Sequence, residues 1–325
     1  MTRALITIDT ELSASRQQAG MTPAENLRLS LTGETRAGAF GIGWQMDRME
    51  ACGIRGVFFV DPMPGLIHGP DIIARMIEPI LARGHEVQVH IHSEWLQWAK
   101  DSPVEGRTGR NIGDFSLNDQ ITLIGWARDA LVAAGAPQPN AFRAGNYGAN
   151  DDTLRALAQL GMLWDSSYNA DYAGKPCHIS LAPETVDPLA LHGVFEAPVA
   201  GIWDRPGHFR PAQVCALSAA EMTRGLSHAA ASEAQCFVVV SHSFEMLSRD
   251  RMRPNRLVMR RFAALCDAIA ADARVVPSGF ADLPPPVADT SPVRLRLAPN
   301  RTRTAWRMAE QGFAALAYER GLFPV

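Results

Sequence analysis

Along this chain, short apolar runs alternate with longer stretches in which apolar positions recur every three or four residues, and turn residues separate the two kinds. The runs predict strands over 4–9, 56–60, 87–92, 141–143, 162–166, 194–199, 236–242 and 274–277. The periodic stretches predict helices over 38–52, 70–82, 117–134, 151–160, 218–230 and 255–272. Punctuation agrees with periodicity: Asn150 and Ser218 stand where N-caps belong, and Gly53, Gly84, Gly135 and Gly161 follow helix ends that favour a left-handed residue. Strand and helix in alternation build βα units, and βα units build a parallel sheet. An α/β barrel is the expected product.

Pro284, Pro285 and Pro286 close this pattern, and the segment through Pro292 reads as a linker. A terminal helix is expected over 301–319, with Trp306, Phe313 and Leu316 available to dock on the main domain or on a second subunit. The expected organisation is a barrel over 1–283, then a linker and helix over 284–325 through which the chain could form a homo-oligomer.

Composition narrows the function classes. At 47% hydrophobic and 20% charged, the 325 residues are those of an ordinary globular protein, without a membrane span. The net charge of -3 is uninformative, but no face is basic enough to steer toward a polyanion, since the arginines between 249 and 261 are spaced among apolar residues, and a nucleic-acid partner is not expected. Five scattered cysteines favour neither a disulfide framework nor a cysteine metal site. The first strand starts almost at Met1 with no secretory h-region, so a cytoplasmic location is expected.

The polar residues at strand ends carry the candidate chemistry. The first strand ends Asp9-Thr10-Glu11, and residues two apart share a face, so both carboxylates can converge at the C-terminal mouth of a barrel. A bound cation would relieve their repulsion. The third strand carries Glu86, Gln88, His90 and His92 on one face, and Glu94 follows. A polar row on a strand buried on both sides needs a reason, and imidazole with carboxylate suits zinc or a similar ion. Histidines capped by backbone carbonyls are the plainer explanation. Arg143, Asp165 and His242 end three further predicted strands, and a histidine there suits a general acid. Two irregular stretches, 11–36 and 100–114, follow the strands with the richest polar ends, where barrels keep their working loops.

The order of these segments resembles that of the polysaccharide deacetylases, the NodB-homology group or carbohydrate esterase family 4, over roughly 4–280. The resemblance rests on Asp9 and Glu11, on Gly84-His85-Glu86 leading to His90 and Glu94, on Phe142-Arg143-Ala144-Gly145-Asn146-Tyr147, on Trp164-Asp165 and on Ser241-His242. It implies a distorted (β/α)7-type barrel of parallel strands and a metal-dependent hydrolase removing an N-acetyl group from a sugar or glycan precursor. Asp9 would be the base, Arg143 its orienting partner, Asp165 a supporting acid and His242 the general acid. The family's second motif ends in histidine where this chain has Glu94. The implied metal set is therefore Glu11, His90 and Glu94, with Asp9 and His92 in reserve. The ion would be Zn²⁺, with Co²⁺, Ni²⁺ or Mn²⁺ as alternatives. Asn146, Tyr147, Trp95 and Trp203, with Trp98, are candidates to hold the sugar. Two rivals stand beside this reading: an amidohydrolase-type barrel using His90 and His92, and a barrel that binds a glycan without turning it over.

Overall fold

The computed structural model describes residues 1–287 and 295–319. Part of the expected linker, 288–292, lies outside the described residues, as do 293–294 and 320–325. The main sheet is formed by β1 (Thr2–Thr10), β2 (Val57–Val60), β3 (Glu86–Ile91), β4 (Ala141–Ala144), β5 (Trp164–Asp165), β6 (Leu189–Leu191), β7 (Val194–Glu196), β8 (Cys236–His242) and β9 (Val275–Pro277). Its order is β8-β1-β2-β3-β4-β5-β7-β6, and β9 pairs with the start of β1. Every pairing is parallel except β6 with β7. Beyond β7, Val199 bridges to Val238 of β8, so the curled sheet comes back on itself. The fold is a curled α/β half-barrel of parallel strands.

Alternation along the strands sorts side chains into two layers. Ala4, Ile6 and Ile8 of β1, Phe58 and Val60 of β2, and Val87, Val89 and Ile91 of β3 face the surrounding helices in one large core. Leu5, Val57, Phe59, Ala141, Trp164 and Val238 fill the interior with Phe280. This second core closes the lower end of the barrel. Phe280 packs edge-on against Phe59 at 5.6 Å between ring centroids, and Glu86 accepts the backbone N–H groups of Phe280 and Ala281 at 3.0 and 3.2 Å. Gln88 accepts those of Asn140 and Ala141. The lower half of the polar row on β3 is thus satisfied structurally, and only its upper half, His90 and His92, is left for chemistry.

The expected elements are found with shifted ends, and two differences have clear causes. The helix expected from residue 38 begins at Ile42, because 34–39 form a small hairpin and Gly41 N–H donates to Thr32 O at 3.0 Å. A Cβ on Gly41 would lie 1.9 Å from the Leu31 carbonyl oxygen, so only glycine admits this crossing. A hairpin of Gly201–Arg205 and His208–Pro211, unforeseen in the sequence, occupies the stretch before the helix Ala219–Ala231.

The helix Arg301–Ala314 meets the barrel through charge rather than through its apolar residues. Arg307, 2% exposed, pairs with Asp204 at 2.6 Å and Glu221 at 3.2 Å, and Glu310 pairs with Arg261 at 2.7 Å. Trp306, Phe313 and Leu316, expected to dock on the main domain or on a second subunit, are exposed on this chain. Because Arg307→Ala would leave two carboxylates buried beside an emptied site, it is expected to cost about 3 kcal/mol, read as a lowered urea midpoint.

Candidate active site

At the C-terminal mouth of the sheet lies a cavity of about 510 Å³, with Asp9, Glu11, His90, His92 and His242 on its floor. Register explains the convergence. Asp9 is the Cα partner of His242 on β8, and His90 is the partner of Arg143 on β4, so adjacent strands deliver these side chains to one level.

Arg143 is wholly buried and its guanidinium is fixed on every side. Nη1 donates to Asp9 Oδ1 and Thr7 Oγ1 at 2.7 Å, and Nε and Nη2 donate to Ser166 O and Oγ at 3.0 and 3.1 Å. The Phe59 ring lies against it at 4.3 Å. Burial works against a charged Asp9, but Arg143, then His90 and His242, outweigh it and hold the carboxyl below its ordinary range. Asp9 Oδ2 stands 3.8 Å from His242 Nε2.

Glu11, His90 and His92 present ligand atoms within 4.8 Å of one another. His90 Nδ1 lies 2.7 Å from Arg143 O, an acceptor that makes this nitrogen the N–H donor, and Nε2 faces Glu11 Oε2, 3.4 Å away. His92 repeats the arrangement: Nδ1 meets Glu94 Oε2 at 3.1 Å and Nε2 faces Glu11. Glu11 Oε2 is buried without a hydrogen bond of acceptable geometry. An acid and two imidazoles converging on one buried point are the residue types that hold a divalent cation, with the far nitrogen of each imidazole held by a neighbouring oxygen. The residues fit such an ion.

One expected ligand and one held in reserve lie outside this cluster. Glu94 is absent from the cluster, because its carboxylate is taken by His92 and by Asn146 Nδ2 at 3.1 Å; it positions His92 instead. Asp9 is held by Arg143. The supporting acid is displaced too: Trp164 points into the barrel, so Asp165 points to the opposite face, where it accepts from Ser167 and lies against Glu196. Burial raises both carboxyls of that pair. Trp95 is fully buried beside Trp98 and His68, and Trp203 packs on Phe209 in the hairpin, so neither borders the cavity. Asn146 and Tyr147 do border it, both at φ 56°, and Tyr172 lies 4.9 Å from the Tyr147 ring. The left-handed backbone at two consecutive non-glycine residues is strain of the kind found where a loop is shaped for function.

Besides Tyr172, two acids escaped the sequence reading. Glu245 Oε1 meets His242 Nδ1 at 3.0 Å and accepts from Gln213 at 2.9 Å; its only sequence signal is its place three residues after the histidine. Asp61 follows β2 as Asp9 ends β1, fully buried, with Oδ1 accepting from Met63 N–H and Oδ2 unpartnered. Burial pushes it up to about 7 against the pull of His92 and His90.

For His242, burial opposes the imidazolium, but the Glu245 hydrogen bond and the charges of Glu245, Asp9 and Glu11 outweigh it and push the ring up to about 9. The ring therefore keeps its proton below that pH and loses it above. An activity that needs the proton declines as pH rises through about 9. Glu245→Gln is expected to move that basic limb to lower pH by about one unit in a kcat profile.

No family model matches the sequence, and no curated protein matches it. Solved structures do. A Mycobacterium smegmatis protein described as a polysaccharide deacetylase superposes with a TM-score of 0.54 at 17% identity, covering 90% of this chain and 94% of that one. The fold is that of the polysaccharide deacetylases. A Streptomyces lividans family 4 carbohydrate esterase aligns over 92% of this chain and 98% of its own at 12% identity and a TM-score of 0.41. The 4-alpha-glucanotransferase of Thermococcus litoralis matches with a TM-score of 0.52 at 10% identity, over 87% of this chain and 40% of that one. The polysaccharide-deacetylase fold is thus similar to a scaffold used for another chemistry, and the side chains at the mouth must decide the activity. Among the described residues, no helix is long and apolar enough to cross a membrane.

Proposed function

We propose that this chain is a metal-dependent deacetylase that hydrolyses an N-acetyl group on a sugar or glycan precursor. The observation that carries the reading is the cavity floor, where an Arg143-held carboxylate and a Glu245-held imidazole flank a cluster of Glu11, His90 and His92. A divalent ion bound by that cluster, zinc by its donor types, supplies Lewis acidity toward the acyl group and the attacking water.

The remaining steps belong to side chains. Asp9 takes the water's proton on Oδ2, since Oδ1 is engaged by Arg143. Arg143 keeps that carboxylate ionised and aimed. A backbone N–H near Tyr147 receives the charge developing on the acyl oxygen. His242, on the other side of Asp9, gives its proton to the departing amine, and Glu245 holds the ring for the transfer. Asn146 and the Tyr147 and Tyr172 rings, which border the cavity, contact the sugar.

The test is acetate release from a panel of N-acetylated hexosamines by protein loaded with Zn²⁺ or Co²⁺. Release that disappears on chelation is expected. A protein that binds no metal and frees no acetate from any member of the panel would overturn the reading.

A further inference from the structure

The floor of the cavity accounts for its acids: Asp9 is paired with Arg143, and Glu11 faces two imidazoles. Its rim is different. Arg110, from the loop after β3, and Lys175, from the loop after β5, border the same cavity, and among the described residues its bordering acids are Asp9 and Glu11. Among the described residues neither side chain forms an ion pair; Lys175 Nζ donates only to the Asp171 carbonyl, at 2.8 Å. Both loops are tied in place. Asp114 accepts the backbone N–H groups of Arg110 and Asn111 at 3.1 and 2.9 Å, and Gly113 N–H donates to Gly148 O at 2.8 Å. Lys175 N–H donates to Tyr172 O at 3.0 Å within a turn closed by Gly174 N–H to Cys177 O. Two fixed backbone segments thus bring unpaired cations to one opening.

We propose that the substrate carries a second, anionic group, a phosphate or a carboxylate, which Arg110 and Lys175 receive at the mouth while its acyl group reaches the floor. This names the substrate class within the deacetylase reading and rests on it. The physical reason is charge balance. A divalent ion at Glu11 and the two histidines would offset the acids on the floor, leaving Arg110 and Lys175 around the substrate. A neutral glycan offers such a cavity nothing to balance that charge. An anion does, and a guanidinium with an ammonium is a common pairing for phosphate or carboxylate. Cations at a cleft mouth also draw anions in from solution.

Calorimetric titration of the zinc-loaded protein with N-acetylglucosamine, its 1-phosphate, its 6-phosphate and N-acetylmuramic acid tests this, beside acetate release from each. At least one anionic sugar is expected to bind about tenfold or more tightly than the neutral one, with inorganic phosphate competing and added salt eroding the preference. Which of the three is preferred separates phosphate from carboxylate. Arg110→Ala with Lys175→Ala should bring the anionic-to-neutral ratio to about one, Arg110→Glu should reverse it, and Arg110→Lys should keep most of it. Thermal unfolding of each variant confirms that it is folded. Equal binding of neutral and anionic sugars, binding of none at millimolar concentration, or a preference that survives the double variant overturns the proposal. Anion preference without acetate release would retain the rim site and remove the deacetylase reading; acetate release that ignores charge would do the reverse.

Discussion

Asp9→Asn is expected to lower kcat for acetate release by about three orders of magnitude, within the range lost when a positioned general base is removed. The amide keeps the shape of the carboxylate and can still accept from Arg143, while Thr7 and Ser166 go on holding the guanidinium. The barrel therefore survives, at a stability cost of about 2 kcal/mol for the weakened charged hydrogen bond. Rates measured at a temperature where circular dichroism shows the variant folded isolate the chemical loss. Activity within tenfold of the wild type would take the base away from Asp9.

The second large effect concerns the metal. His92→Ala removes one of three converging donors and is expected to abolish stoichiometric zinc at micromolar concentration, measured by elemental analysis after dialysis. Glu94→Gln leaves the donors in place and loosens only the hold on the His92 ring, so affinity should fall by about 10- to 100-fold. The opposite ranking would make Glu94 the ligand and His92 its support.

These two variants also mark how far the sequence could be read. Period and punctuation located the strands and helices of the barrel, because buried parallel strands are short apolar runs whose ends are set by turn residues. Asp9, His90, Arg143 and His242 stood out for the same reason: a polar side chain at the tip of such a run has few structural uses. What sequence pattern does not encode is direction in irregular segments. Trp95 and Glu94 lie on the short 3-10 turn Ser93–Trp98, which sends the indole into the core and the carboxylate back to His92. No periodicity of 2 or 3.6 distinguishes those outcomes beforehand. The direction of Asp165 was hidden for a different reason, since a strand of two residues gives no alternation from which to tell its face. Glu245 and Asp61 were missed because each lies in a connection just past a strand, where no periodicity shows that the carboxylate turns back toward the histidines. The choice between His92 and Glu94 needed the third dimension for the same reason.

The Phe280 stopper and its Glu86 anchor make the reaction chamber a blind alley. Among the described residues nothing opens below Asp9, so under the proposed reaction acetate and the freed amine would leave by the mouth through which the next sugar enters. Turnover in such a vessel is exposed to crowding by its own products, and accumulated acetate should slow it by competition at the doorway rather than by any change in the chemical step.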